Sequence, residues 1–150
     1  EGNNWRFHRQ GGDQTMAWQG GGGDIGGGAA GPNVNDGAWH YFVGTKDSLV
    51  GRELFIDGIS VATGPAGTPL AIDDALPLMI GENPQGNGRD WNGGIDDVAI
   101  WNRALGSAEV LSIFQAGQAG NSLGALIPEP STGLLGLLAL GLFFVRRRKR

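Results

Sequence analysis

The amino-acid sequence predicts an all-β sandwich followed by one apolar C-terminal helix, and three observations carry that expectation. An Asp57-Gly58 pair divides two apolar runs, Leu54-Phe55-Ile56 and Ile59-Ser60-Val61. Glycine makes up 29 of the 150 residues with no Gly-X-Y period, well above the usual share of about 7%. The chain closes on an uncharged Leu- and Phe-rich run flanked by Pro128-Glu129-Pro130 and five basic residues. Glycines lying between short apolar runs mark the turns of a β-rich fold.

Taken in order, Trp5–His8 and Thr15–Gln19 read as the first two strands. From Gly20 to Gly37 the glycine content leaves only loop to be expected. Ala38–Thr45 alternates, with Trp39, Tyr41 and Val43 on one face and Ala38, His40 and Phe42 on the other, so it reads as a central strand covered on both sides. Glu53–Thr63 is a β-hairpin: Asp-Gly accepts the positive φ values of a type I′ turn, whose twist matches the strands it joins. Leu76–Ile80 and Gly94–Asn102 supply two further strands, separated by the polar loop Gly81–Asn92. Ala108–Ala116 is the one helix expected before the tail. Ser107 caps it, Glu109 sits near the positive end of its dipole, Gly117 stops it, and Val110, Leu111, Ile113 and Phe114 form its apolar face. Gly117 to Leu126 turns small and polar, a linker.

The tail has a physics of its own. Proline at 128 and 130 cannot continue a helix, because it lacks the N–H and restricts the residue before it. Residues 132–145 then carry no charge, and their Leu, Phe and Val side chains favour membrane insertion by about 3–5 kcal/mol. A helix there spans only about 21 Å of a hydrocarbon core about 30 Å thick. The basic cluster Arg146, Arg147, Arg148, Lys149 and Arg150 can snorkel to cover part of the difference, and the positive-inside rule keeps it cytoplasmic. A plain anchor or a buried core helix are the alternatives; five consecutive basic residues need solvent and oppose the second. The chain opens on Glu1 rather than Met, so it reads as the C-terminal portion of a longer product.

Charge excludes one class of partner. With residues 146–150 set aside, six basic residues face fifteen acidic ones, a balance of −9, which offers nucleic acid no clustered Lys and Arg. There is no cysteine, hence no disulfide framework or thiolate chemistry. Gly21-Gly22-Gly23-Asp24-Ile25-Gly26 satisfies G-x-G-x-x-G only as any glycine tract would, without the flanking strand and helix that cradle a phosphate. Asp96 and Asp97 are adjacent, and on a strand their side chains point to opposite faces, so they cannot flank one glycosidic bond. Asp96 reads instead as a structural carboxylate accepting loop N–H groups. His8 and His40 are the only histidines, too few for a His-rich metal site, and His40 reads as packed or hydrogen-bonded. Trp39 and Trp101 are expected in the core. Trp18 and Trp91 border loops, where either can stack on a sugar ring.

Two resemblances rest on these residues. Pro128-Glu129-Pro130, a short apolar helix and an Arg-rich end, in that order, resemble the PEP-CTERM sorting signal of bacterial exported proteins. That resemblance implies an exosortase-type membrane enzyme as partner, cleavage near the Pro-Glu-Pro, and release to the cell surface or extracellular matrix. Asp36-Gly37-Ala38-Trp39-His40, Leu54-Phe55-Ile56-Asp57-Gly58, Ile80-Gly81-Glu82-Asn83 and the block from Gly94 to Leu105 resemble in series the LamG-like, concanavalin A-like jelly roll. It implies such a sandwich over residues 1–117, with its N-terminal strands missing, then a linker at 118–127 and the sorting signal at 128–150. Calcium is the one cofactor this resemblance admits, through rim oxygens; Asp73, Asp74, Asp90 and Asp96 are its candidate ligands, with Glu82, Asn83 and Asn92 nearby. The function expected is a non-catalytic surface module that binds an extracellular polysaccharide or a surface protein. A hydrolase with its acid pair upstream of Glu1, and a passive coat protein, are the rival expectations.

Overall fold

The structure is a computed structural model that describes residues 5–9, 12–28, 31–67, 78–82, 88 and 90–126. Six strands and two helices are present among them: β1 (Arg6–Arg9), β2 (Met16–Gln19), β3 (Ile25–Gly26), β4 (Phe42–Asp47), β5 (Gly51–Ile56), β6 (Ile59–Gly64), α1 (Ser107–Gln118) and α2 (Leu123–Leu126). They form two antiparallel three-stranded sheets, β1-β2-β3 and β4-β5-β6. The expected all-β character holds for the body.

The hairpin forms as its sequence requires. Asp57 and Gly58 take φ values of 52° and 79°, both in the left-handed region that a type I′ turn demands. Ile56 pairs with Ile59 directly across that turn, and a bulge between Leu54 and Phe55 adjusts the register further along.

Alternation along β5 builds two cores. Leu54 and Ile56 face the first sheet and join Met16, Trp18 and Ile25 in one buried cluster. Phe55 points the other way and packs with Val43, Leu105 and Val110 beneath α1. Burial of an aromatic such as Phe55 contributes about 1.5–3 kcal/mol.

Glycine does more here than turn the chain. Trp18 of β2 lies against Gly44 of β4, Ile25 of β3 against Gly64 of β6, and Leu54 of β5 against Gly26 of β3. Each glycine is a socket for a side chain from the facing sheet, where a Cβ would come within 2.7 Å of it. Arg52 adds a polar tie. Its guanidinium, on a residue only 5% exposed, donates to the carbonyls of Gly23 at 2.7 Å and Pro65 at 2.8 Å. The loop after β2 is thus fixed to β5.

Several expectations are corrected. Ile25–Gly26 is a strand inside the tract expected to be all loop, because Ile25 is an apolar residue that can pair with Trp18 and bury. β4 begins at Phe42 rather than Ala38, since the Ala38 and Tyr41 N–H groups donate to the side chains of Asp36 and Asp57 rather than to a neighbouring strand. Trp39 is 73% exposed and not in the core, whereas Trp101 packs against the Phe55 cluster. Residues 94–102 form no strand: Asp97 has φ 50° and no ladder partner lies beside the segment among the described residues. Asp96 is exposed, and its Oδ1 accepts the N–H of Asp97 at 2.8 Å, so it is not a buried structural carboxylate. Leu78–Ile80 is not strand, and residues 76 and 77 lie outside the described residues.

Helix α1 starts one position earlier than expected and runs past Gly117. Gly106 is its N-cap, and Glu109 reaches back to accept the Gly106 N–H at 2.9 Å. Arg103 clamps the same carboxylate at 2.6 and 2.8 Å, which with that N–H holds Glu109 at about 2. Gly120, at φ 81°, closes the helix. Val110 is fully buried, but Leu111 is exposed. Part of the expected linker is the short helix α2. No helix among the described residues is long and apolar enough to cross a membrane. The sorting motif Pro128-Glu129-Pro130, the apolar run 132–145 and the basic cluster lie outside the described residues.

The socket geometry makes a prediction. Gly44→Ala places a methyl group 2.5–2.7 Å from the buried Trp18 indole, and is expected to destabilise the fold by about 1–3 kcal/mol. Denaturant unfolding followed by Trp fluorescence measures this. An unchanged midpoint would show that the sheets do not pack in this way.

Candidate aromatic binding site

Two exposed aromatics, Trp39 and Trp91, lie where the Asp36–Tyr41 loop meets the segment from Trp91 to Gly94. Trp39 rests directly on Gly94, where a Cβ would lie 2.6 Å from its Cη2. Trp91, 43% exposed, donates its indole N–H to the Gly94 carbonyl at 3.3 Å and lies against Gly93. Its backbone N–H donates to the Gly81 carbonyl at 2.7 Å. Two adjacent glycines therefore seat two indoles that remain open to solvent. A large, rigid apolar ring with a polar N–H at its edge is suited to cover a ligand of mixed character.

The loop that carries Trp39 is pinned on both sides of it. Asp36 Oδ1 accepts the Ala38 N–H at 2.9 Å and lies 3.0 Å from His40 Nε2. On the other flank, Asp57 Oδ1 accepts the Tyr41 N–H at 2.9 Å, and Asp57 Oδ2 lies 2.8 Å from His40 Nδ1. The Asp57 N–H returns a bond to the Tyr41 carbonyl at 2.9 Å. The hydrogen bond to Asp57 raises the His40 pKa above 6.5, and the one to Asp36 acts in the same direction against partial burial. The Ala38 N–H, then His40, hold Asp36 below the ordinary carboxylate range. Burial raises the phenol of Tyr41, whose ring stacks on Phe114 at 6.2 Å between centroids.

The sequence-expected residues divide accordingly. Trp91 lies in the site. Trp18 is 3% exposed and clasped by Gly20 and Gly44, so it presents no ring face to a ligand. Trp39, placed in the core by its alternation, is the residue that sequence reasoning missed. The signal that could have found it is the run Asp36-Gly37, a turn pair one residue removed from the aromatic. Asp90 and Asp96 are exposed, and Asp73 and Asp74 lie outside the described residues. Among the described residues no three His, Asp or Glu side chains come together as a metal-holding group.

Two antiparallel sheets packed face to face, one carrying an Asp-Gly hairpin, form an all-β sandwich module, an architecture consistent with a concanavalin-like fold. The family model for the concanavalin A-like lectin/glucanases superfamily (Laminin_G_3) matches residues 1–111, and the chain belongs to that superfamily. Residues 126–150 match the PEP-CTERM protein-sorting motif. The chain is 30% identical over 93 residues to the rat sushi, von Willebrand factor type A, EGF and pentraxin domain-containing protein 1, a match covering 55% of this chain and 2% of that protein. It is also similar to the crystal structure of an S-layer domain-containing protein from Clostridium thermocellum. There the TM-score is 0.49 and the identity 17%, over 76% of this chain and 64% of that one.

Proposed function

We propose that the chain is an exported surface or matrix protein whose body, residues 1–117, binds extracellular polysaccharide without catalysis through Trp39 and Trp91. The observation that carries this reading is the pair of exposed indoles seated on Gly93 and Gly94. Sugar rings offer C–H faces that cover an indole and hydroxyl rims that reach its N–H, so an open aromatic shelf suits them. The acidic body favours a neutral glycan over a polyanion. Membership of the concanavalin A-like superfamily supports the class of ligand, and the sorting motif supports export.

The tail from residue 128 serves delivery in this reading. Its apolar run holds the protein in the membrane with the basic cluster inside, residues 118–127 act as spacer, and an exosortase-type enzyme cuts near Pro128-Glu129-Pro130 to free the body.

Retention on a panel of cellulose, laminarin and xylan tests the binding. Trp39→Ala or Trp91→Ala each uncovers about 50–100 Å² of apolar contact and should weaken retention about tenfold, with the far-UV circular dichroism unchanged. Equal retention of both variants and the parent would remove the shelf as the binding surface. Intact-mass analysis of the protein from its native host, with membrane and exterior fractions separated, tests delivery. An exterior species ending near Pro128 is expected; a membrane species ending at Arg150 would make the tail a permanent anchor.

A further inference from the structure

Both nitrogens of one imidazole face carboxylate oxygens. His40 Nδ1 lies 2.8 Å from Asp57 Oδ2, and Nε2 lies 3.0 Å from Asp36 Oδ1. An ionised carboxylate can only accept, and a neutral imidazole carries a single N–H. A neutral ring would therefore satisfy one aspartate and turn a lone pair on the other. Only the imidazolium, with two N–H donors, fits both contacts.

The carboxylates are themselves committed as acceptors, Asp36 Oδ1 to the Ala38 N–H and Asp57 Oδ1 to the Tyr41 N–H. Among the described residues these two aspartates, one from the ring's own loop and one from the β5–β6 turn, are the charged groups acting on it. The neighbour from β4 is the uncharged Phe42, 6.4 Å away between ring centroids. The side chain of His40 is 13% exposed, so water screens these contacts only in part.

We propose that His40 is a protonation-operated clasp that positions Trp39, closed as the imidazolium and half-open as the neutral ring. This deepens the polysaccharide-binding reading and rests on it for its consequence. Trp39 sits inside the clasp, between Ala38 and His40, and its backbone is held from both sides by the two aspartates. When the ring loses a proton it keeps the shorter contact to Asp57, whose side chain is the less exposed of the two. The contact to Asp36, 42% exposed, then becomes lone pair against lone pair, and that carboxylate turns to solvent.

The direction with pH follows. A histidine held above 6.5 contributes its stabilisation fully below its unfolded value and loses it as pH rises through the folded one. Polysaccharide retention is accordingly stronger at pH 5.5–6 than at pH 9, by at least about fivefold, the lower end of ordinary coupling between sites.

The test uses the full 150-residue chain in detergent micelles, ¹⁵N-labelled at histidine and tryptophan. Long-range ¹H–¹⁵N spectra follow the ring nitrogens of His40 and the indole N–H of Trp39 across one pH series. Expected are two protonated His40 nitrogens at pH 6.5 and a Trp39 resonance that moves with the same midpoint. Asp36→Asn, at an exposed side chain, should lower that midpoint and shrink the coupled Trp39 movement. A single neutral tautomer of His40 at pH 6 overturns the proposal, as does a Trp39 resonance that stays still while His40 titrates. Retention on laminarin, cellulose and xylan at the same pH values separates the two readings. If Trp39 follows His40 and nothing is retained at any pH, the clasp stands and the ligand assignment fails. If retention is pH-independent and Trp39 static, the shelf stands and the clasp fails.

Discussion

The carboxylate of Asp57 is the constraint on which the rest of the site depends. One residue closes the β5–β6 hairpin in the left-handed conformation and, from that position, reaches across to the chain entering β4. Its backbone N–H and carbonyl-facing partner at Tyr41 extend the sheet by one more bond, while its side chain takes the Tyr41 N–H and the His40 ring. A turn residue chosen for backbone geometry thereby fixes the direction in which the preceding loop leaves the sheet. Trp39 is displayed because the loop around it has been tied down, and the tie begins in the most local element of the fold.

The same economy governs the two sheets. Their approach is set by glycines that accept Trp18, Ile25 and Leu54 from the opposite layer, so shape, more than apolar area, limits the fit. Arg52 then satisfies carbonyls from two loops with one cation, without a carboxylate partner at those contacts. Such an arrangement tolerates a glycine-rich connection because its backbone acceptors are held from the strand side. The consequence for function is a firm base under a few exposed side chains.

How much of this was legible in the sequence depends on the range of the interaction. Asp57-Gly58 declared its hairpin because turn type is a two-residue property. Helix α1 was legible within one residue at its start, yet Gly106 took the cap because Glu109 bonds its N–H. Strand pairing is non-local, and there alternation misled: residues 94–102 have a strand's pattern and no partner beside them among the described residues. Trp18 and Trp39 exchanged their expected places for a related reason. Period-two patterning marks faces but cannot say which one a facing glycine will receive, and Gly44 and Gly20 took Trp18 while Gly94 left Trp39 open. The sorting motif was legible through its resemblance to a known signal, carried by a proline pair, an uncharged run and a basic end whose order needs no tertiary context.

Hydrogen–deuterium exchange on the Asp57→Gly variant tests the central claim most directly. Glycine keeps the left-handed turn, as Gly-Gly is itself a favoured type I′ pair, and removes the side-chain acceptor of the Tyr41 N–H altogether. The account predicts that the Ala38 and Tyr41 amides lose protection while the Leu54 amide keeps it. Unchanged protection at Ala38 and Tyr41 would contradict the account, because the loop that carries Trp39 would then be held by something other than the Asp57 carboxylate.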